Sequence, residues 1–332
     1  MPRALLLAVL LLLPGLGAAG YDEHPRATEL LKVLARDHGF TPDELDWVRS
    51  ELRQAQRLPK LIESEQQARE KTLNWTAYRA LHVTPDNLSK GRAFLREYRK
   101  SLARAEDQYG VPREIIAGIL GVETKYGAYH SATRVIDALV TQGFDHPTRG
   151  DFFLNELVEF FALCRDQDWD PQWPRGSYAG AMGAAQFMPS NYRRLAVDFN
   201  GDGRKDLWNL PDAIGSIARY LAEYDPQRAW QRGQAVVSPA SFDGDAGDLD
   251  VNERRVNSTV ADLAREGLRG REGLPPDLPA GALQLETGDG SEWWIGLSNF
   301  FSIQSYNPRV YYAMAVVQLA AALETSADNS PP

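Results

Sequence analysis

The sequence has almost no cysteine. Cys164 is the one cysteine among 332 residues, so no disulfide can form within the chain. A cysteine-based metal cluster is excluded for the same reason. Cys164 lies in an apolar stretch and is expected to pack as a small hydrophobic residue. The fold must therefore be held by its core, and a bound metal ion is the other candidate source of stability.

Long apolar runs are also scarce. Residues 4–13 form one such run, which is too short to span a hydrocarbon layer of about 30 Å. Arg3 precedes the run and small residues follow it as far as Gly20, a pattern typical of a cleaved secretory signal peptide. We expect an exported, soluble protein with a signal peptide at residues 1–20 and no membrane span. A lipoprotein needs a cysteine directly after its signal, so lipid anchoring is disfavoured.

The motifs of several common enzyme classes are absent from the sequence. It contains no Gly-x-Ser-x-Gly elbow, no His-Glu-x-x-His helix and no Walker loop. The five histidines show no metal-ligand spacing, although His130 and His146 lie near the candidate site and their roles stay open. A net charge of −9 argues against general binding to nucleic acid. Serine hydrolases of this type, zinc proteases and nucleotide hydrolases are thus disfavoured.

The hydrophobic periodicity predicts a mainly α-helical (α+β) protein of two or three domains. We expect an N-terminal α-helical domain at residues 21–105, in which Thr41 caps a helix. A second helical region follows at residues 106–228. Residues 229–303 alternate β-forming residues with Gly/Asp turns, which indicates a small β-containing domain. Residues 306–325 are expected to form a closing helix that completes the N-terminal domain, and residues 326–332 a disordered tail.

Glu123 is the strongest candidate for chemistry. Pro112 falls where a first helical turn tolerates proline, and helical spacing puts Glu123 on the face of four apolar residues, Ile115, Ile116, Ile119 and Leu120. Burial raises the pKa of a carboxylic acid and can keep it protonated near neutral pH, as a proton donor requires. The alternative is a glutamate at the edge of the apolar stripe, solvated or paired with Lys125 or Arg134.

Residues 198–212 resemble a calcium-binding loop. Oxygen-bearing side chains stand at positions one, three and five and glycine at position six, as in the first half of an EF-hand loop. Asn209 occupies the usual twelfth position, so we infer an enlarged loop closed three residues later. The alternative is an Asx-rich turn that needs no metal. The expected ligands of a structural Ca²⁺ are Asp198, Asn200, Asp202, the backbone carbonyl of Arg204, Asp212 and water.

Residues 177–190 lie between the acid and this loop and are rich in glycine and alanine. Small residues let a backbone approach a ligand closely. Tyr178, Gln186 and Phe187 would add a stacking face and an amide, which are properties that a polysaccharide cleft needs. Tight helix packing through the small residues is the alternative.

Together, residues 121–127, 178–190 and 198–203 resemble the motifs of the B-type lytic murein transglycosylases, glycoside hydrolase family 103. The resemblance covers nearly all of the expected mature chain, as far as residues 306–315. It implies a lysozyme-like catalytic core with a calcium loop at residues 106–228, an α-helical domain formed by both chain ends, and a small β domain. It also implies an enzyme that cleaves peptidoglycan between N-acetylmuramic acid and N-acetylglucosamine. Together with the expected signal peptide, this activity leads us to expect a periplasmic enzyme.

The resemblance assigns roles to individual residues. It makes Glu123 the single catalytic acid and residues 198–212 the calcium loop. Arg149 matches one of two arginines associated with the substrate's peptide, whereas Thr148 replaces the other. The missing lipoprotein cysteine is a second departure from some members of the family. The residues that match positions lining the glycan cleft are Ser177, Gln186, Tyr220, Asn307 and Tyr312, and Tyr306 lies beside them as a further expected substrate-binding residue.

A single acid suits a non-hydrolytic cleavage. Glu123 would protonate the leaving oxygen and then, as a base, take the proton of the muramyl C6 hydroxyl, which closes a 1,6-anhydro ring. No catalytic cofactor is implied. The alternatives are a hydrolytic, lysozyme-type muramidase and a non-catalytic peptidoglycan-binding envelope protein. We expect a monomer that binds glycan strands, with other cell-wall enzymes as further candidate partners.

Overall fold

The computed structural model describes residues 20–66, 72–129, 131–244 and 249–327. Within these ranges the chain forms fourteen α-helices, a short 3₁₀ helix at Tyr21–Glu23 and seven β-strands. The prediction of a mainly helical protein with a small sheet is therefore confirmed. The expected signal peptide lies, except for Gly20, outside the described residues, and so do His130 and residues 328–332 of the expected tail.

Helices fill both ends of the described sequence. They are α1 (Pro25–His38), α2 (Pro42–Gln54), α3 (Lys60–Gln66), α4 (Trp75–His82), α5 (Pro85–Glu97), α6 (Arg99–Tyr109), α7 (Arg113–Thr124), α8 (Val135–Asp145), α9 (Gly150–Gln167), α10 (Pro189–Leu195), α11 (Leu210–Glu223), α12 (Val260–Arg265), α13 (Ser298–Tyr306) and α14 (Val310–Ala327).

The strands form two antiparallel sheets. They are β1 (Thr133–Arg134), β2 (Arg175–Gly176), β3 (Val237–Phe242), β4 (Ser258–Thr259), β5 (Leu268–Arg269), β6 (Pro279–Glu286) and β7 (Ser291–Leu297). The first two strands pair with each other, and the other five form a sheet in the order β4-β6-β7-β3-β5.

The predicted cap of α2 is present and shows why the helix begins where it does. Glu44 N donates to Thr41 Oγ1 at 3.3 Å, while Thr41 N donates to Glu44 Oε2 at 2.7 Å. Pro42 occupies the first helical turn, where its missing N–H costs no hydrogen bond. This reciprocal pair is a capping box, and it satisfies two backbone donors that would otherwise lack a partner.

The central helix α7 packs closely against α14. A Cβ atom added at Gly118 would lie 2.9 Å from the Val316 carbonyl oxygen, and one at Gly121 would lie 2.7 Å from Leu319 Cδ2. Only glycine permits so close an approach of the two helices. This packing brings the helix that carries Glu123 against a helix that lies far away in the sequence.

The closing helix begins and ends later than the predicted residues 306–325. Asn307 is extended, with φ −143°, because the residue before a proline is disfavoured in the helical region. Pro308 therefore separates α13, which ends at Tyr306, from α14, which begins at Val310. α14 continues to Ala327 and so includes the first two residues of the expected tail.

The larger sheet buries both of its faces. In β6, Leu283 and Leu285 belong to the main core of the protein. Ala282 points the other way and joins Ile295 of β7 in a second, smaller core, as the alternation of side chains along a strand requires. The small core is consistent with the β-containing unit expected at residues 229–303, and the division into domains stays a prediction.

Candidate active site

Glu123 lies one residue before the end of α7. The four apolar residues predicted to share its face are buried, and Glu123 itself is half-buried. The Tyr312 hydroxyl donates a hydrogen bond of 2.6 Å to Glu123 Oε1. The cations considered as its partners have other bonds: Lys125 donates to the Leu81 carbonyl at 3.1 Å, and Arg134 pairs with Asp137 at 2.7 Å.

Tyr312 belongs to a group of aromatic side chains that we call the aromatic cluster, consisting of Tyr312, Tyr306, Tyr220 and Phe187. The rings of Tyr306 and Tyr312 are nearly parallel, with centroids 6.4 Å apart. Tyr306 and Tyr220 lie 4.7 Å apart, and the ring of Phe187 lies 5.5 Å from that of Tyr220. The Tyr220 hydroxyl donates to the Ser305 carbonyl at 2.8 Å. These residues come from three separate parts of the sequence.

The electrostatics of the cluster keep its hydroxyls protonated. Burial raises the pKa of Tyr312 well above its ordinary value, and the negative charge of Glu123 raises it further. Burial and the same charge also raise the pKa of Tyr306. A phenol that does not ionise remains a hydrogen-bond donor. Tyr312 therefore offers Glu123 a permanent donor.

Residues 177–188 form a loop, which we call the glycine-alanine loop, and residues 189 and 190 begin α10. The loop is attached to both the acid-bearing helix and the aromatic cluster. The Thr124 hydroxyl donates to the Ala184 carbonyl at 3.1 Å, and the Tyr306 hydroxyl donates to the next carbonyl, that of Ala185. Gln186 has a positive φ of 52°, and its side-chain amide donates to the Gly183 carbonyl at 2.8 Å. The loop is therefore fixed directly beside Glu123.

Three further residues predicted to bind substrate occupy different parts of the fold. Ser177 Oγ accepts a hydrogen bond from the backbone N–H of Ala181 at 3.1 Å, at the start of the glycine-alanine loop. Asn307 lies between α13 and α14, next to the aromatic cluster. Arg149 is exposed and lies over the ring of Phe153 at 4.9 Å, where α9 begins. The other four predicted residues lie nearer the acid. Tyr312 bonds to Glu123 directly, Tyr306 and Tyr220 belong to the same aromatic cluster, and Gln186 belongs to the glycine-alanine loop.

The chain turns sharply after the acid. Lys125, Tyr126 and Gly127 all have positive φ, at 53°, 62° and 79°. For a residue other than glycine such a conformation costs about 1–3 kcal/mol and persists only where the surroundings enforce it. Gly127 N donates to Thr124 Oγ1 at 3.0 Å, which helps to hold the turn. Strain of this kind clusters at functional sites.

Residues 198–212 form a loop closed by hydrogen bonds from its own backbone. Asp198 accepts from Gly201 N at 2.7 Å and from Gly203 N at 2.8 Å. Asp202 accepts from Arg204 N at 2.9 Å and from the side chain of Asn200 at 2.9 Å. These bonds also agree with the Asx-rich turn that the sequence left open.

Asp212 closes the loop from the first turn of α11. Its carboxylate is fully buried and accepts three backbone hydrogen bonds, from Phe199, Asn200 and Asp206, at 2.8–3.1 Å. Burial raises its pKa, and these bonds oppose the rise. Among the described residues, no three Asp, Glu, His or Cys side chains converge to hold a metal. The donor types nevertheless suit calcium, which prefers oxygen ligands.

A cavity of about 850 Å³ adjoins the aromatic cluster. Tyr224, whose ring stacks on that of Tyr220 at 4.3 Å, lines it together with Ser305. Glu123 is not among the residues that line this cavity. The tyrosine rings of the aromatic cluster and Tyr224 therefore lie between the acid and this cavity.

Comparisons with known proteins identify the family of the chain. Residues 22–321 match the transglycosylase SLT domain. The chain is 38% identical to membrane-bound lytic murein transglycosylase B of Escherichia coli over 312 residues, which cover 91% of this chain and 84% of that protein. The chain therefore belongs to the transglycosylase SLT domain family.

Solved structures support the same family. The catenated lytic transglycosylase SltB1 from Pseudomonas aeruginosa matches with a TM-score of 0.84 and 39% identity, covering 92% of this chain and 99% of that one. The Escherichia coli lytic transglycosylase Slt35 in complex with calcium matches with a TM-score of 0.80 and 38% identity, covering 92% and 94%. Within the ranges that the structure describes, no helix is both long and apolar enough to cross a membrane.

The sequence did not single out Thr124 or the carbonyls of Ala184 and Ala185. Thr124 directly follows the acid, but threonine at a helix end is common and gives no signal by itself. The carbonyls are invisible to motif reasoning because every residue has one. Only the fold shows that they receive hydrogen bonds from α7 and from Tyr306.

Proposed function

We propose that the chain is a lytic transglycosylase that cleaves the β-1,4 bond between N-acetylmuramic acid and N-acetylglucosamine and leaves a 1,6-anhydromuramic end. The observation that carries the proposal is a single half-buried carboxylate, Glu123, which is hydrogen-bonded to Tyr312 at 2.6 Å beside an aromatic cluster. Membership of the transglycosylase family supports the same reaction.

The reaction has two proton transfers, both at Glu123. As an acid, Glu123 gives its proton to the bridging oxygen, and the bond from C1 of the muramyl residue to that oxygen breaks. The muramyl N-acetyl group or nearby dipoles support the positive charge at C1. The carboxylate then takes the proton of the C6 hydroxyl, whose oxygen bonds to C1. Glu123 ends protonated, and no water is consumed.

The hydrogen bond from Tyr312 favours this sequence. As Glu123 loses its proton its carboxylate gains charge, and a neutral donor at 2.6 Å stabilises that charge. The C6 hydroxyl is part of the same sugar, so its effective molarity can reach about 10⁵ M or more when it is well oriented. Ring closure can therefore outcompete attack by water.

The glycan would lie against the aromatic cluster and the glycine-alanine loop. Tyr220, Tyr306 and Tyr312 supply ring faces, whereas Gln186 and Asn307 supply side-chain amides that can bond sugar hydroxyls or N-acetyl groups. Ser177 would serve the same purpose at the start of the loop. Arg149 would contact the carboxylates of the stem peptide, with Thr148 in place of a second arginine.

Calcium would be held by Asp198, Asn200, Asp202, the Arg204 carbonyl and Asp212. A related protein, Slt35, has been solved in complex with calcium, and the buried Asp212 carboxylate has only neutral backbone donors among its bonds described above. A cation would offset the repulsion among the three aspartates. We assign the ion a structural role.

The substrate fixes where the enzyme would act. Peptidoglycan lies outside the cytoplasm, and the signal-like residues 1–20 would direct export to the periplasm. The Escherichia coli relative is named membrane-bound, whereas the sequence here lacks the cysteine of a lipoprotein after its signal-like segment. We propose a monomer that acts on glycan strands, alone or beside other cell-wall enzymes.

Product mass tests the reaction. Purified sacculi are digested with the chain, and the released muropeptides are weighed. The expected fragments are one water lighter than the products of a hydrolytic muramidase, and hydrated products would contradict the transglycosylase mechanism. Glu123→Gln should keep glycan binding and lose turnover by about 10²–10⁴-fold, as removal of a general acid does; near-normal turnover would contradict the role of Glu123.

Thermal unfolding tests the calcium site. Calcium at a hundred times its dissociation constant would stabilise the folded chain by about 2.7 kcal/mol, so the unfolding midpoint should fall when a chelator is added. Asp212→Asn should make the midpoint insensitive to calcium. An equal midpoint with calcium and with chelator would rule out the site.

A further inference from the structure

Thr124 joins three segments that must keep fixed positions for the proposed reaction. It directly follows Glu123 and is almost completely buried, with 2% of its surface exposed. Its hydroxyl donates to the Ala184 carbonyl at 3.1 Å and accepts from Gly127 N at 3.0 Å. A single hydroxyl thus connects the end of α7, the strained turn after it and the glycine-alanine loop.

The connection continues from the glycine-alanine loop to residues 198–212. Ala184 N donates to the Leu207 carbonyl at 2.7 Å. Gly183 lies so close to Leu207 that an added Cβ would be 2.5 Å from its carbonyl oxygen. Asp206, the residue before Leu207, donates its N–H to Asp212 Oδ2 at 2.8 Å. Three hydrogen bonds and the peptide bond between Asp206 and Leu207 therefore connect Asp212 to Thr124.

A second contact joins the turn after the acid to residues 198–212. An added Cβ at Gly127 would lie 3.1 Å from Leu210 Cδ2, and Leu210 is the first residue of α11. The turn after the acid therefore packs against the end of the candidate calcium loop. Thr124 therefore bonds both to the loop that contacts Leu207, through Ala184, and to the turn that contacts Leu210, through Gly127 N.

We propose that Thr124 is a positioning residue that sets the distance between Glu123 and the sugar bound on the glycine-alanine loop, and that couples this distance to the loop at residues 198–212. This inference rests on the proposed function. Thr124 touches neither the sugar nor the reacting atoms. It acts through the Ala184 carbonyl on one side and through its peptide bond to Glu123 on the other.

The physical reason is the sensitivity of proton transfer to distance. A general acid must lie within hydrogen-bond reach of the oxygen that it protonates, and a displacement of about 1 Å can cost about 100-fold in rate. The acid and the proposed sugar-binding loop belong to segments that are distant in the sequence, since Thr124 and Ala184 are 60 positions apart. A buried hydrogen bond is a direct means of holding them together.

The test compares two buried threonines. Thr124→Val removes the hydroxyl and keeps the shape. Thr141 is the matched control because it is fully buried and its hydroxyl also joins two segments, by accepting from Leu58 N at 3.0 Å and donating to the Gln56 carbonyl at 3.5 Å. Both variants should lose thermal stability. Only Thr124→Val should lose kcat, by about tenfold or more, with KM changed less than threefold.

Two further measurements separate positioning from a general loss of structure. Thr124→Ser keeps the hydroxyl and should restore kcat to within about threefold of the original chain. In a Glu123→Gln background, Thr124→Val should leave the affinity for glycan fragments within threefold, because the binding surfaces remain. Calcium affinity, measured by titration, should fall in Thr124→Val and stay unchanged in Thr141→Val.

The outcomes distinguish this inference from the proposed function. The original chain is assayed first, and failure to release anhydro products overturns the proposed function itself. If anhydro products appear, a kcat for Thr124→Val within twofold of the original overturns the positioning role, as does an equal loss in Thr141→Val. If Thr124→Val does not fold, the pair Thr124→Ala and Thr141→Ala is compared under the same criteria.

Discussion

Tyr312→Phe removes one oxygen atom from the candidate active site. The hydroxyl donates to Glu123 Oε1 at 2.6 Å, and only 2% of Tyr312 is exposed. Phenylalanine fills the same space, so the packing of α14 against α7 should be unchanged. The variant therefore isolates the hydrogen bond between the phenol and the acid.

The expected loss follows from the kind of bond. A hydrogen bond to a charged group contributes about 1.5–3 kcal/mol, and each 1.36 kcal/mol is a factor of ten in rate. The bond strengthens as Glu123 becomes charged in the transition state, so its loss should lower kcat by about 10–100-fold and leave KM nearly unchanged.

The neighbouring tyrosine provides the control. Tyr311 also loses a hydrogen bond on conversion to phenylalanine, since its hydroxyl accepts from Glu286 N at 3.2 Å, but the partner in that bond is the backbone of β6 and not the acid. Release of soluble fragments from purified sacculi gives kcat and KM, and thermal unfolding checks the fold. A Tyr312→Phe variant with kcat within twofold of the original, or no faster than Tyr311→Phe, would refute the reasoning.

Two stability predictions follow from other parts of the structure. Gly118→Ala should destabilise the chain by about 1–3 kcal/mol, because its Cβ would lie 2.9 Å from the Val316 carbonyl oxygen. Gly288→Ala serves as the control, because a Cβ at that position would meet open space. Equal unfolding midpoints for the two variants would contradict the prediction. Burial raises the pKa of Glu156, against the hydrogen bonds from Ser190. An acid whose folded pKa exceeds its unfolded pKa binds more protons when folded, so stability falls as pH rises through that interval. Glu156→Gln should remove this part of the fall in denaturant unfolding between acidic and neutral pH, and an unchanged pH dependence would contradict the assignment.

The sequence predicted local features well because they depend on nearby residues. The apolar face of α7 follows from the spacing of four buried residues, and the cap of α2 follows from Thr41 and Glu44. The break at Asn307 was also within reach, since this residue precedes a proline. Helix α13 was not predicted, because residues 298–303 were assigned to the β-containing domain although the chain is helical from Ser298. The predicted start at residue 306 is therefore four residues before Val310, where α14 begins.

Contacts between distant segments could not be predicted from the sequence. Spacing places Glu123 on a helix face but cannot say that Tyr312 will donate to it. The resemblance selected Tyr312 for the cleft, while the hydrogen bond itself comes from the packing of α7 on α14. The link from Thr124 to Ala184 depends on a backbone carbonyl, which no side-chain pattern reveals.

The separation between Glu123 and Tyr312, 189 positions along the chain, bears on how the molecule becomes active. Contacts between such distant residues form late in folding, because a long loop must close first. A growing chain contains Glu123 before it contains Tyr312, and a partly folded chain has not yet brought the tyrosine to the acid. For a protein proposed to cut the wall that surrounds its own cell, the docking of α14 therefore makes full activity depend on completed folding.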